Sequence, residues 1–184
     1  MSYPGQCFEP GQVFVDESKA HDYLLVAVVI PQHDIAHARR SIRRLVLPGQ
    51  RRIHMKDERD SRKRQILSVI ADLDPEVRIF RESDPKHSEG QRRDYCLDAL
   101  VRFAARERHL ELILELDETL ERRDHERLIE AARAAGCTGR LAHRHARASE
   151  EPLLVIPDAV GWAWARGGDW KRRLATLDLT VEDV

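Results

Sequence analysis

The hydrophobic pattern begins with two apolar runs separated by a short polar segment. Residues 13–15 are apolar and are followed by Asp16-Glu17-Ser18, and a second apolar run spans residues 23–30. This pattern predicts a β-hairpin whose first strand ends in two carboxylates. Pro31 is predicted to close the hairpin, and residues 1–12, which contain two Pro-Gly pairs, are predicted to be irregular.

Helical periodicity follows the hairpin. Apolar side chains recur at helical spacing in residues 34–47, 60–73, 90–108 and 121–135. Asp60 is predicted as an N-cap. A last helix is predicted to begin with Pro157 at its first position and to end at Gly167-Gly168.

The remaining segments alternate between apolar and polar residues. Residues 52–56 predict a third strand, with Ile53 and Met55 on one face and His54 and Lys56 on the other. Strands are also predicted over residues 77–81, 110–117 and, weakly, 140–146, and residues 152–156 are expected to be extended. A hairpin followed by alternating helices and strands predicts an α/β fold, a mixed sheet flanked by helices.

Composition is typical of one globular domain covering residues 1–184, with residues 169–184 as a C-terminal extension. The chain is 42% hydrophobic and 34% charged. Its longest apolar run is too short to span a membrane, and its N-terminus does not look like a signal peptide, so no membrane association and a cytoplasmic location are expected. The three cysteines have no paired spacing that would indicate a disulfide framework or a zinc motif.

Charge is nearly balanced, with a formal net value of −1, which disfavours a general affinity for nucleic acid. Residues 39–64 are locally basic and could contact phosphates. Solvated helix faces are the alternative explanation, because arginine is abundant throughout the chain.

Five acidic residues occupy comparable places in the predicted elements. Asp16 and Glu17 end the first strand, Glu115 and Asp117 end the last clear strand, and Asp158 lies in the first turn of the final helix. Carboxylates at such places can converge above a sheet and hold the two Mg²⁺ or Mn²⁺ ions of a phosphodiesterase. Each also has a local alternative: a turn, a solvated strand face, or a favourable position in the helix dipole.

Four short motifs carry a resemblance to a known family. They are FVDES at residues 14–18, IHMKDE at residues 53–58, LELDE at residues 114–118 and EEPLLVIPDAVGWAWARGG at residues 150–168. In this order they resemble domain of unknown function 3800, a prokaryotic family with an RNase H-like fold. The resemblance spans about residues 13–167.

The resemblance implies an RNase H-like sheet with a divalent-metal site that hydrolyses nucleic acid phosphodiesters. The matching positions are Asp16, Glu17, His54, either Glu115 or Asp117, and Asp158. RNase H topology also leaves Glu82 and Asp84 as candidates for the third metal ligand. Two positions depart from the family: Lys19 stands where glycine is usual, and Pro157 replaces a small residue, which suggests a later helix start.

A nuclease hypothesis assigns the metal ligands to Asp16, Asp158 and one of Glu115 and Asp117. His54 would assist proton transfer, and Arg51, Arg52 and Lys56 would bind the substrate phosphates. The three tryptophans, Trp162, Trp164 and Trp170, could stack on bases, although core packing is the more ordinary role for Trp164.

Two other functions fit the same sequence. One is a regulatory protein that binds nucleic acid or protein on an RNase H-like scaffold without turnover. The other is hydrolysis of a small phosphoester. RNA versus DNA, the pathway and the oligomeric state are not specified by these residues.

Overall fold

A six-stranded mixed sheet forms the centre of the molecule in the computed structural model, which describes residues 10–109 and 111–184. The strands are β1 (Gly11–Ser18), β2 (Tyr23–Pro31), β3 (Glu76–Glu82), β4 (Glu111–Glu115), β5 (Ala142–Ala146) and β6 (Asp178–Asp183). Their order across the sheet is β5-β4-β1-β2-β3-β6. The mixed α/β sheet predicted from the sequence is confirmed.

Strand direction brings the C-terminal ends of several strands to the same end of the sheet. The β1, β2 and β3 strands form an antiparallel meander, while β4 runs parallel to β1 and β5 runs parallel to β4. The C-terminal ends of β1, β3 and β4 therefore lie at the same end of the sheet. Asp16 and Glu115, near the ends of β1 and β4, both lie there.

Helices cover both faces of the sheet. The first face carries α1 (Ile35–Arg43), α2 (Asp60–Leu73), α5 (Val155–Arg166) and the short α6 (Gly168–Arg172). The second face carries α3 (Glu89–Arg106) and α4 (Glu121–Ala134). Residues 23–30 of β2 are buried throughout because β2 is a central strand with packed helices on both sides.

Alternation along β1 decides which face receives each side chain. Phe14 packs in the core beneath α1, α2 and α5, whereas Val13 and Val15 pack beneath α3 and α4. Continuing the alternation sends Asp16 to the α5 face and Glu17 to the α3 face.

The third strand predicted over residues 52–56 is wrong. Ile53 and Met55 are buried as expected, but Met55–Asp57 forms a 3-10 helix. His54 contacts Asp158 of α5, Arg52 and Lys56 are exposed, and no strand pairs with this segment among the described residues. Apolar alternation alone cannot distinguish such a segment from a strand.

Several predicted boundaries also need correction. Gly11 and Gln12 belong to β1 rather than to an irregular segment, and Arg59 rather than Asp60 occupies the N-cap of α2. Residues 152–156 are not extended: Pro152–Leu154 forms a 3-10 helix and α5 begins at Val155. Pro157 is therefore the third residue of α5, where its missing N–H costs no helical hydrogen bond.

Two predictions fall partly outside the described residues. These are the irregular conformation of residues 1–9 and the assignment of Leu110 to a strand face. The predicted C-terminal extension, residues 169–184, contributes the rest of α6 and all of β6. The β6 strand pairs in parallel with β3 through six residue pairs, so it extends the sheet at that edge.

Candidate active site

Three carboxylates from distant parts of the chain lie near one another at the C-terminal ends of β1 and β4. Burial, followed by the negative charges of Glu115 and Asp158, raises the pKa of Asp16 well above its ordinary value. Glu115 is also close enough to share a hydrogen bond with protonated Asp16. Asp16, Glu115 and Asp158 are hereafter called the carboxylate cluster.

Close packing of α5 on β1 positions the third carboxylate. A Cβ atom at Gly161 would lie 3.2 Å from Val26 Cγ2 and 3.4 Å from Ser18 Cβ. The small residue thus lets the helix approach the hairpin closely. Because Asp158 lies one helical turn before Gly161, this approach brings its carboxylate toward Asp16.

Asp158 is held by the segment that connects α1 to α2. Its Oδ2 atom accepts a hydrogen bond from the Met55 backbone N–H at 2.8 Å and lies 3.3 Å from His54 Nδ1. The hydrogen bond to Asp158 raises the pKa of His54. The structure therefore places His54 beside the carboxylate cluster, as the nuclease hypothesis requires.

Glu115 is held by an arginine from the same segment. Arg52 Nη1 donates to Glu115 Oε1 at 2.7 Å, and the Arg52 side chain remains 45% exposed. Arg51 and Lys56, the other two predicted substrate-binding residues, are also exposed to solvent. A cleft of about 490 Å³ lies at this position, and its lining includes Asp16, Glu115 and Arg52.

The donor chemistry of the carboxylate cluster suits a hard divalent cation such as Mg²⁺ or Mn²⁺. Within residues 10–109 and 111–184, no three His, Cys, Asp or Glu side chains are already arranged as a ligand set. Glu115 instead faces Arg52, and Asp158 faces the Met55 amide. Arg52 contacts only the Oε1 atom of Glu115, so a cation would have to bind through Oε2 or replace Arg52.

Glu17 does not join the carboxylate cluster, although it follows Asp16 directly. Its carboxylate accepts hydrogen bonds from Tyr23 and Arg93 and pairs with Lys19 Nζ at 2.6 Å. Lys19 also pairs with Glu89 at 2.7 Å, which ties the hairpin turn to the start of α3. Glu17 also lines the cleft, and its predicted catalytic role stays a prediction.

A buried ionic network continues behind Glu17, and sequence reasoning missed it. Arg93 donates to both oxygens of Asp124, at 2.7 and 2.5 Å, and His145 Nε2 lies 3.2 Å from Asp124 Oδ2. Burial alone would raise the pKa of Asp124, but the hydrogen bonds from Arg93 and His145 lower it. The network fixes α3, α4 and β5 beside the cleft.

A sequence signal for this network did exist. Arg93 lies on the apolar stripe of α3 with Leu97 and Leu100, and Asp124 lies on that of α4 with Leu128. A charged residue on an apolar stripe indicates a buried partner, because an unpaired buried charge is very costly. The partner itself could not be named from one chain.

Asp117 and the two candidates at and just after the end of β3, Glu82 and Asp84, have local roles. Asp117 Oδ1 accepts hydrogen bonds from the Thr119 backbone at 2.9 Å and hydroxyl at 2.6 Å, and these bonds lower its pKa. Glu82 is buried and bonds the Asp84 backbone N–H at 2.7 Å. Glu115 is therefore the candidate that the structure brings beside Asp16.

Glu151 is a second buried acid that the sequence reasoning did not single out. It accepts two hydrogen bonds from Arg39, at 3.1 and 2.7 Å, and it caps the 3-10 helix through the Leu153 N–H at 3.3 Å. This carboxylate anchors α1 to the chain that leads into α5, and so supports the position of Asp158.

Comparisons with known proteins bear on the fold. No protein-family model matches the chain, and no curated protein matches it. A solved structure, the PCNA:RNase HII complex from Archaeoglobus fulgidus, contains a similar chain with a TM-score of 0.54 and 11% identity. The match covers 85% of this chain and 73% of the other, and it identifies the fold as RNase H-like.

Within residues 10–109 and 111–184, no helix is long and apolar enough to cross a membrane.

Proposed function

We propose that the protein is a divalent-metal-dependent nuclease that hydrolyses nucleic acid phosphodiesters. The observation that carries this proposal is the convergence of Asp16, Glu115 and Asp158. Burial, followed by the charges of Glu115 and Asp158, raises the pKa of Asp16. Crowding of carboxylates is unfavourable, and a divalent cation would relieve it. The RNase HII similarity supports the same reaction class at the level of the fold.

Asp16, Glu115 and Asp158 would hold Mg²⁺ or Mn²⁺, with the Glu115 carboxylate released by Arg52. Ions bound there would supply Lewis acidity, a water of lowered pKa and neutralisation of the leaving oxygen. This assignment gives Asp117 no ligand role and places Glu82 and Asp84 outside the site.

The protein's own residues would orient the substrate and move the proton. Arg52, once free of Glu115, would pair with the scissile phosphate, and Arg51 and Lys56 would contact neighbouring phosphates. His54, which contacts Asp158 of the carboxylate cluster, would exchange a proton with the leaving oxygen. The resemblance to domain of unknown function 3800 remains a prediction within this proposal.

The proposal is tested by nuclease assays with Mn²⁺ on single-stranded, duplex and RNA–DNA hybrid substrates. We expect Asp16→Asn and Asp158→Asn to lower activity at least about 100-fold, because losing even an outer partner of a metal site costs 10–100-fold. Asp98→Asn is the matched control, because Asp98 pairs with Arg127 on the other face of the sheet.

Equal activity in the wild type and in all three variants would overturn the proposal. Absence of any Mn²⁺-dependent cleavage, together with unchanged thermal stability on adding Mn²⁺, would instead favour the non-catalytic binding protein. A bound ion at 100 times its Kd should stabilise the fold by about 2.7 kcal/mol.

A further inference from the structure

The three tryptophans of the chain lie on α5 and α6, and two of them, Trp162 and Trp170, contact cations of α2. We define the tryptophan surface by Trp162, Trp164 and Trp170 with the exposed cations Arg64, Lys171 and Arg173. Trp162 and Trp170 meet edge to face with ring centroids 5.0 Å apart. All three side chains are half-buried, so part of each remains at the surface.

The cations of this surface lie over aromatic rings. Lys171 Nζ is 3.6 Å from the centre of the Trp164 ring, and the guanidinium groups of Arg64 and Arg173 are 6.0 and 5.9 Å from the Trp170 ring. Across residues 10–109 and 111–184, none of these three cations forms an ion pair with a carboxylate. Their charge therefore remains available to an external anion.

The tryptophan surface is continuous with the carboxylate cluster along α5. Trp162 is four residues after Asp158, about 6 Å along the helix axis and on nearly the same side. A groove of about 370 Å³ lies between the hairpin turn and α5, lined in part by Ser18, Trp162 and Arg166. Ser18 shares the sheet face of Asp16, so the groove begins beside the candidate site.

We propose that the tryptophan surface binds a single-stranded segment of the nucleic acid substrate on one side of the scissile bond. This inference rests on the proposed function and adds the substrate class. Tryptophan rings and guanidinium planes stack on unpaired bases, while lysine and arginine neutralise phosphates. In a duplex the faces of the bases are stacked on one another, so a duplex would contact only the lysine and arginine charges of this surface.

The distance along α5 sets the length of the segment. Asp158 and Arg166 are eight residues apart, about 12 Å along the helix. At roughly 3.4 Å per stacked nucleotide, the segment occupies three or four nucleotides beyond the reacting phosphate. An oligonucleotide must therefore exceed about four nucleotides to reach both the carboxylate cluster and Trp170.

Binding is measured by fluorescence anisotropy with fluorescein-labelled oligothymidylates of 4, 8 and 12 nucleotides, in EDTA so that no cleavage occurs. We expect the double variant Arg64→Gln/Arg173→Gln to weaken binding of the 12-mer about tenfold. The slope of log K against log salt should fall in magnitude by about 1.4, because two phosphate contacts are lost. Trp170→Leu should also weaken binding about tenfold through a lost base stack.

The matched control is Arg122→Gln/Arg133→Gln, which removes two exposed arginines from α4 on the opposite face of the sheet. Wild-type affinity in this control, with weaker binding in the Arg64/Arg173 variant, supports the inference. Equal weakening in both double variants, or equal affinity for a 12-base-pair duplex, overturns it. The arginine variants keep the test valid if Trp170→Leu does not fold.

The inference and the proposed function fail separately in these experiments. Oligothymidylate binding of the expected pattern in a protein that cleaves nothing would remove the nuclease proposal alone. Metal-dependent cleavage with unchanged binding by the Arg64/Arg173 variant would remove this inference alone.

Discussion

Asp16 is a side chain of the carboxylate cluster that lowers the stability of the metal-free protein. Its carboxyl group is packed near two other carboxylates, and burial and repulsion together raise its pKa. Ionised Asp16 is therefore destabilising in the metal-free protein. Natural active sites commonly carry such a cost, because the groups that chemistry requires are not those that the folded state prefers.

We predict that Asp16→Asn stabilises the metal-free protein at neutral pH. Because the folded pKa is raised, the favourable contribution of protonated Asp16 is present below the unfolded value of 3.8 and is lost as pH rises through the folded value. The asparagine variant should therefore match the wild type near pH 4 and exceed it at pH 7.

Thermal unfolding in EDTA between pH 4 and pH 8 measures this difference. A gain of about 1 kcal/mol corresponds to roughly 2–4 °C in Tm for a domain of this size. Added Mn²⁺ should raise the Tm of the wild type but not of Asp16→Asn. A variant that is less stable than the wild type at pH 7 in EDTA would contradict the electrostatic explanation.

The two acids at the end of β4 are predicted to behave differently. Glu115→Gln should abolish the stabilisation by Mn²⁺, because Glu115 lies beside Asp16. Asp117→Asn should keep that stabilisation, because the Asp117 carboxylate serves the turn at Thr119. Mn²⁺ titration followed by thermal unfolding decides between them, and the reverse pattern would make Asp117 the third ligand.

At the scale of elements, α5 and the segment before α2 build the site together. The Met55 backbone N–H and the His54 ring hold Asp158, while Arg52 in the same segment holds Glu115. These contacts to Asp158 and Glu115 do not require a β-strand, and the segment ends in a 3-10 helix instead. The position of α5 itself depends on Gly161 and on the anchor at Glu151.

Removal of the Glu151 anchor is predicted to affect both stability and the site. Glu151→Ala leaves Arg39 without its partner and removes the cap at Leu153. We expect the free energy of unfolding to fall by about 2–3 kcal/mol. This is at or just below the lower end of the cost of breaking a buried ion pair, because Arg39 is partly exposed. Chemical denaturation provides the measurement.

Glu151→Gln is the matched comparison, because glutamine retains the shape of the side chain and some of its hydrogen bonds. Its free energy of unfolding should fall less than that of Glu151→Ala. Mn²⁺ affinity should fall in the alanine variant alone, because Asp158 shifts with α5. Equal stability of the alanine variant and the wild type would show that this anchor contributes nothing.

At the scale of the whole molecule, β5 and β6 are the two edge strands of the sheet. The β6 strand covers β3 and carries Asp178, Glu182 and Asp183, which discourage pairing with another chain. Arg81 pairs with Asp183 at 2.6 Å across this contact. The C-terminal residues thus protect the sheet as well as enlarge it.

We predict that a chain ending at Leu177 is less stable and self-associates. It would lose six residue pairs with β3 and the half-buried side chains Leu179 and Val181, about 2–4 kcal/mol of apolar burial. Size-exclusion chromatography and thermal unfolding measure the two effects. Thr180→Ala, on the exposed face of β6, is the control, and a monomeric truncated chain of unchanged Tm would contradict the prediction.

The sequence by itself determined most elements and their class. The two apolar runs, the helical stripes and the strong alternation after residue 110 reflect local backbone periodicity, which is readable without knowing any partner. The same local signals placed Asp16 and Glu115 near strand ends and Asp158 in the first turn of a helix. They also predicted the mixed sheet that the structure contains.

Only the tertiary structure decided which acids meet. Asp16 and Glu17 are neighbours in sequence but face opposite sides of the sheet, and Asp117 is two residues beyond Glu115 but bonds Thr119 in the turn after β4. The network of Arg93, Asp124 and His145 likewise joins three distant elements. Such choices depend on strand order, helix position and the cost of unpaired buried charge, which arise between elements rather than within them.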